Sequence, residues 1–270
     1  MLRFTEQELE QMPLVDGAVA MTEAVDPHFP AGWVNIQLAR LAQEAEHALM
    51  DEPDSYLRLE GLLRLFYREW GFIGDHEQYF SSENVFLDKV LERKKGIPVT
   101  LGALFLFLAH RLDLPVSAVG FPTQFILKVE WYGSEPQYIN PFDGEYLSKH
   151  MMAAWLKGHK GPFSELRSEH FVTAGNGDIL ARWLTVMKSA LLREGLFAEA
   201  LRCSDVAIGA FRPGDPHEIR DRGYIYQQLE CSHAAVSDYE YFIEQCPEDP
   251  AAELLKIQVK ELNKEPLTLH

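Results

Sequence analysis

Between Lys94 and Pro115 the chain reads KKGIPVTLGALFLFLAHRLDLP, and from Val99 to Ala109 it carries almost no polar residue on any face. A helix that is apolar all round has to be buried on all sides, so the rest of the chain must wrap around this segment. Pro98 suits the first helical position, where its missing N–H costs nothing. His110 and Arg111 suit a helix C-terminus, and Pro115 prevents the helix from resuming. After Pro115 the hydrophobic period changes to two, through Val116, Ala118 and Gly120. The stretches Gln124–Trp131 and Tyr138–Asn140 continue it as predicted strands. A buried helix followed by two or three strands predicts an α+β core.

Further helices are predicted around that core. Met1–Met12 reads as a short amphipathic helix, with Phe4, Leu9 and Met12 apolar and Glu6, Glu8 and Glu10 on a solvated face. The run from Gly32 to Met50 has a three-to-four spacing of Trp33, Ile36, Leu38, Leu41, Ala45, Ala48 and Leu49. A second helix is expected from Asp54, as N-cap, to Trp70. A third is expected from Ser82, as cap, to Arg93, with Val85, Phe86, Val90 and Leu91 inward and Asp88, Glu92 and Arg93 outward. Gly133–Pro136 reads as a hairpin loop, Pro141–Gly144 as a turn and Lys149–Lys160 as another short helix. Asp75, His76 and Glu77 are adjacent, so regular structure cannot aim all three at one ion, and no metal site is expected there.

From Asp178 to Pro250 the chain repeats itself. Glu194–Ala200 aligns with Leu229–Ala235, and Pro213 with Pro247, at offsets of about 34 or 35 residues, the period of a tetratricopeptide repeat. Gly223, Tyr226, Ala235, Tyr239 and Pro247 fall where such a repeat places small, aromatic and helix-ending residues. Two repeats are fewer than the three or so that stand alone, so the array is expected to pack on the first domain. The first helix of each pair lines the concave face of a repeat stack. The alignment puts Arg182, Ser189, Arg193, Arg220 and Tyr224 there, a set suited to an acidic peptide or a chain-terminal carboxylate.

The stretches LERKKGIPVTL, LFLAHRLDLPVSAVGFPTQFILKV and YINPFDG resemble the transglutaminase-like core of the SirB family, in which such a core is joined to tetratricopeptide repeats. The resemblance implies a papain-like helix plus small antiparallel sheet with extra N-terminal helices over residues 1–165. Helical repeats would then follow over residues 166–270. It also implies a cysteine at the N-terminus of the central helix and a histidine and an aspartate on the strands that follow. Helix N-terminus and imidazole together would supply a thiolate. Here the three positions correspond to Pro98, Gln124 and Asn140. Proline offers no nucleophile, glutamine has no titratable proton near neutrality, and asparagine cannot stabilise an imidazolium as a carboxylate does.

The three cysteines, Cys203, Cys231 and Cys246, all lie in the C-terminal third without metal-site spacing. The transglutaminase-like region therefore contains no thiol. Thr100 is the only hydroxyl near the helix start, and Asp143 the only carboxylate still close to the triad positions. A cleft around Pro98, Thr100, Thr123, Gln124, Asn140 and Asp143 is expected to remain. The first functional reading is a non-catalytic adaptor or regulator that binds protein through its repeats, without cofactor or metal. The alternative is a hydrolase or amide-transfer enzyme with altered chemistry, in which Thr100 would need a base beside it. A formal charge of −16 argues against nucleic acid, whose phosphates call for a basic surface. The longest apolar run is too short for a membrane span of roughly 20 residues, and the acidic start lacks a secretory core. A bacterial, cytoplasmic protein acting through protein partners is the expectation, and the family resemblance associates it with regulation of gene expression.

Overall fold

In the computed structural model, which describes residues 6–263, six helices and a first strand pair build the shell and spine of the core. In chain order these are α1 (Glu6–Gln11), α2 (Leu14–Val25), α3 (Ala31–Leu49), α4 (Ser55–Leu63), β1 (Ile73–Gly74), α5 (Leu87–Arg93), β2 (Lys95–Gly96) and α6 (Pro98–Arg111). The spine is α6, with Pro98 at its first position and His110 and Arg111 in its last turn. Every residue from Pro98 to Leu106 is buried, as are Leu108 and Ala109. Burying a leucine or phenylalanine side chain stabilises by about 1.5–3 kcal/mol, and α6 alone buries Leu101, Leu104, Phe105, Leu106 and Leu108. The Nε2 of His110 lies 2.9 Å from the Val116 carbonyl, joining the helix end to the sheet that follows.

That sheet is the antiparallel meander β3 (Val116–Gly120), β4 (Phe125–Val129) and β5 (Gln137–Ile139). Its register pairs Ala118 with Leu127 and Leu127 with Ile139, so one face of alternating residues lies against α6. Contact is closest where Gly102 of α6 meets the Phe125 ring: a Cβ on that glycine would sit 2.2 Å from it. The α+β class is borne out. The sequence reading did not foresee the two-residue parallel pair β1–β2, which joins Ile73 to Lys95 and Gly74 to Gly96 just before α6 begins.

Several elements differ from expectation. The sequence reading passed over α2, although Leu14, Val15, Ala18, Val19, Met21, Thr22 and Val25 are all buried there. A segment buried on most sides, with Gly17 and alanines in its middle, shows little amphipathic periodicity. On α3 the inward face is Val34, Leu38, Leu41, Ala42, Ala45 and Leu49, while Trp33 and Ile36 are exposed. Asp54 caps α4 as expected, accepting the Tyr56 and Leu57 N–H groups, and a π-helical turn from Arg64 to Glu69 prolongs the helix. Ser81, not Ser82, caps a single 3-10 turn, and α5 begins only at Leu87. Glu10 does not merely face solvent: its carboxylate accepts the Asn176 and Gly177 N–H groups at 3.1 and 2.7 Å. Phe4 and the side chains of Glu6 and Leu9 lie outside the described residues.

Arg93 also turns inward. Its guanidinium donates to Asp75 at 3.0 Å and to Asn84 at 3.1 Å, and pairs with Glu83 at 3.2 Å. Asp75 thus serves as a buried ion-pair partner, and no cluster of metal ligands occurs among the described residues. Burial raises the Asp75 carboxyl, but the Gln78 N–H and the Arg93 guanidinium outweigh it and hold it below the usual carboxylate range. A depressed folded-state value gives stability that is fully present above the unfolded value of about 3.9 and is lost as pH falls through the folded one. The Asp75→Asn variant should therefore melt well below the native protein at pH 7. That gap should narrow below about pH 4, as thermal unfolding followed by circular dichroism would read.

After the sheet come α7 (Lys149–Lys160), capped by Ser148, and a 3-10 turn at Ser168–Phe171. The C-terminal helices are α8 (Asn176–Arg193), α9 (Phe197–Val206, prolonged by a π turn to Phe211), α10 (Pro216–Gln228), α11 (Ser232–Gln245) and α12 (Pro250–Leu262). Their period shows in the caps. Asp215-Pro216 and Asp249-Pro250 open α10 and α12 in the same way, and left-handed residues, Gly195 and Glu230, break each pair. The repeats do pack on the first domain. Ile179, Leu180, Trp183 and Met187 of α8 join one core with α2 and α6, and the Trp183 indole donates to the Val85 carbonyl at 2.9 Å. No helix among the described residues is long and apolar enough to cross a membrane.

Candidate functional site

The three positions matched to a catalytic triad lie where α6 begins and where β4 and β5 meet. Pro98 is buried at the first position of α6. Thr100, one turn in, is fully buried. Its Oγ1 accepts the Ile97 N–H at 3.1 Å and lies 3.0 and 3.1 Å from the carbonyls of Ile97 and Asn84. A hydroxyl has one proton and two lone pairs, so this one is used up in holding the helix start. Among the described residues neither a histidine nor a carboxylate hydrogen-bonds it, whereas a hydroxyl nucleophile is activated by an adjacent base.

Gln124 and Asn140 are brought together. Gln124 Nε2 donates to Asn140 Oδ1 at 3.2 Å, and Asn140 Nδ2 donates to Asp143 Oδ2 at 3.0 Å. The turn carrying Asn140 and Asp143 is rigidly built. Asn140 Oδ1 also accepts the Phe142 N–H, and Asp143 Oδ1 accepts that of Glu145. Gly144 takes φ +78°, and the Tyr67 hydroxyl donates to the Pro141 carbonyl at 2.9 Å. A side-chain amide, a second amide and a carboxylate therefore stand in a row. Amides neither take nor give a proton near neutrality, so in this row the two amides can only hold a hydrogen-bonding group, and Asp143 is its one titratable member. No cysteine replaces the missing thiol: Cys203 is buried between helices, and burial pushes its thiol far up. Cys231 and Cys246 belong to the α11 boundaries.

The repeat residues separate into two groups. Arg182 donates to the Phe121 carbonyl at 2.9 Å, across to the first domain. Arg220 pairs with the neighbouring Asp221 at 2.8 Å. Ser189, although exposed, turns its hydroxyl back to the Thr185 carbonyl at 2.9 Å. Tyr224 is exposed, one turn beyond Arg220. Arg193 differs from all of these. Its guanidinium lies 4.2 Å from the centroid of the exposed Phe80 ring. Among the described residues it is the one arginine with neither an ion pair nor a hydrogen-bonded acceptor.

Sequence reasoning missed Phe80 and its neighbour Tyr79. Their rings meet edge-on at 5.1 Å, and Tyr79 lies 6.1 Å from Phe142 in the turn beside Asn140. Two adjacent aromatics in a polar turn were the available signal. A second omission is the α7 wall of a cavity that also takes in Thr123 and Gln124, lined by Ala154, Trp155, Gly158 and His159.

Known proteins agree with this architecture. The model of the transglutaminase-like superfamily matches residues 32–185, and that of the tetratricopeptide repeat matches residues 187–260. A UPF0162 protein of Vibrio cholerae is 53% identical over the full length of both chains. Protein SirB1 of Salmonella typhimurium is 43% identical and UPF0162 protein YchA of Escherichia coli 41% identical, each over 97% of both chains. No solved structure matches the chain.

Proposed function

Since the chain belongs to the family of the SirB1 and UPF0162 proteins, a transglutaminase-like core joined to tetratricopeptide repeats, we propose that it is a non-catalytic adaptor that binds a protein partner through its repeats. The amide row at Gln124 and Asn140 and the committed hydroxyl of Thr100 support the non-catalytic half of this reading. Arg193 carries the binding half. A guanidinium stacked on an exposed aromatic ring, with no internal acceptor, keeps its donors free for a partner. A carboxylate is the matching group, since arginine binds one through two parallel hydrogen bonds. The partner is thus a protein that presents an acidic side chain or its C-terminus at the junction of α8 and the Tyr79-Phe80 turn. Ser189, one turn before Arg193 on α8, extends the same exposed face, whereas Arg182 and Arg220 hold the chain's own groups.

The test compares proteins captured from cell lysate by the native chain and by Arg193→Glu, a surface change that should leave the thermal midpoint within about 1 °C, the ordinary small cost of an exposed substitution. A partner held by the native chain should fall at least about tenfold on the variant, an effect of 1.4 kcal/mol or more. Equal capture by both would remove the repeat face around Arg193 as the binding site.

A further inference from the structure

The hydrogen bonds around Asn140 have a direction, and that direction determines what the neighbouring cavity can hold. An ionised carboxylate only accepts, so the group Asn140 turns to Asp143 Oδ2 must be its NH2. Its Oδ1 then faces the other way, where the Phe142 N–H donates to it. Gln124 in turn must offer its own NH2 to that oxygen. The Oε1 of Gln124 is left as an acceptor with no hydrogen-bond donor among the described residues. The carboxylate of Asp143 thus sets the orientation of two amides in succession.

Gln124 lines a cavity of about 480 Å3 with Thr123, Ala154, Trp155, Gly158 and His159. Thr123 Oγ1 is shut off from bulk water and has no hydrogen-bond partner. An unpaired buried hydroxyl is a standing cost. Trp155 packs its half-buried ring against the core beneath. Nothing stands above Gly158 within 4 Å of where a Cβ would be. The cavity is therefore lined by an aromatic residue, an open glycine and the Gln124 amide, with the unpartnered Thr123 hydroxyl buried beside them. Lys157, His159 and Lys160 make the last turn of α7 basic, which disfavours a cation, while Gln124 Oε1, as an acceptor, calls for a donor on the ligand.

We propose that the cavity between the Thr123-Gln124 corner and α7 binds a flat, uncharged ring that carries an N–H donor beside an acceptor, as an aromatic carboxamide or an amino-heterocycle does. The ring lies on Trp155 over Gly158, its N–H donates to Gln124 Oε1, and its acceptor receives the Thr123 hydroxyl once rotation about χ1 has turned that group toward the ligand. Recognition here does not depend on the repeat face, since none of these groups touches Arg193.

The test titrates the intact chain with benzamide and, separately, with adenine. It follows the Trp155 indole N–H by nuclear magnetic resonance, assigned through Trp155→Phe. Methyl benzoate, which has the ring and the acceptor but no donor, is the control. A saturable shift with either probe, at least tenfold weaker in Gln124→Met and in Thr123→Val, is the expected result, and the better probe identifies the ligand class. Methyl benzoate should bind at least tenfold more weakly than that probe. The proposal fails if neither probe shifts the resonance, if methyl benzoate matches them, or if folded Gln124→Met binds as the native chain does.

Discussion

Replacing Lys188 by alanine is expected to cost about 3–5 kcal/mol of folding stability, the usual consequence of breaking a buried ion pair from one side. Lys188 is 5% exposed in the middle of α8. Its Nζ donates to Glu218 at 2.7 Å and to Asp221 at 3.0 Å, both on α10. Arg212 and Arg220 hold the outer oxygens of the same two carboxylates, each at 2.8 Å. Without Lys188, Glu218 keeps only Arg212 as an ionic partner in a site from which water is largely excluded. The double change Lys188→Met with Glu218→Leu should recover most of the loss, because apolar replacement of a whole buried pair is often neutral. Urea unfolding of the single and double variants makes the cycle that isolates the pair. A single-variant loss below about 1 kcal/mol would mean that the remaining arginines suffice. Acid should erase part of the difference. Burial raises the Asp221 carboxyl, but Lys188, followed by Arg220, outweighs it and holds the group low. That share of stability is full above the ordinary carboxylate range, near 3.9, and disappears as pH falls through the depressed value. The network ties α8, which carries Arg193, to α10.

The same residues illustrate how far the sequence could be read. The central helix was legible because no face of Val99–Ala109 is polar, and only complete burial accommodates that. Strands after it were legible by their period of two. The α2 segment was not, since burial on most sides with small residues removes the periodicity that a reading depends on. At the site, matching motif positions put Gln124 and Asn140 in one cleft, and the structure joins them by a hydrogen bond. Their orientation could not be read, because it depends on the Asp143 carboxylate taking the Asn140 NH2 and leaving the Asn140 oxygen to Gln124. Among the repeat arginines the limit is similar. Asp221 lies beside Arg220 in the sequence, yet nothing local relates Arg182 to a carbonyl 61 residues away. Phe80 and Arg193 are farther apart still, and only the packing of α8 on the first domain brings them together.

The second large effect is expected at Gly102, where fold and site meet. In an exposed helix interior, glycine to alanine gains about 1 kcal/mol from propensity. Gly102 lies inside α6, and propensity alone would make Gly102→Ala stabilising. Sterics oppose it: the new Cβ would stand 2.2 and 2.7 Å from two carbons of the Phe125 ring, itself 2% exposed. Neither side can yield cheaply in an interior packed as densely as an organic crystal. Overpacking of this kind costs about 1–3 kcal/mol and sometimes more, and a clash with a rigid ring belongs at the upper end. The net expectation is a loss of about 2 kcal/mol or more, read as a fall in the thermal midpoint. Gly32→Ala in the first turn of α3, with nothing within 4 Å of its Cβ, is the control and should not fall. Adding Phe125→Leu to Gly102→Ala should return part of the loss by making room. Phe125, the first residue of β4, immediately follows Gln124, so pushing the ring outward also moves the amide that donates to Asn140. The Gln124 side-chain NH2 resonances should therefore shift in Gly102→Ala and move back in the double variant. A midpoint at or above that of the native chain would show that β4 slides freely over α6, and would remove the rigid backing on which the orientation of the amide row depends.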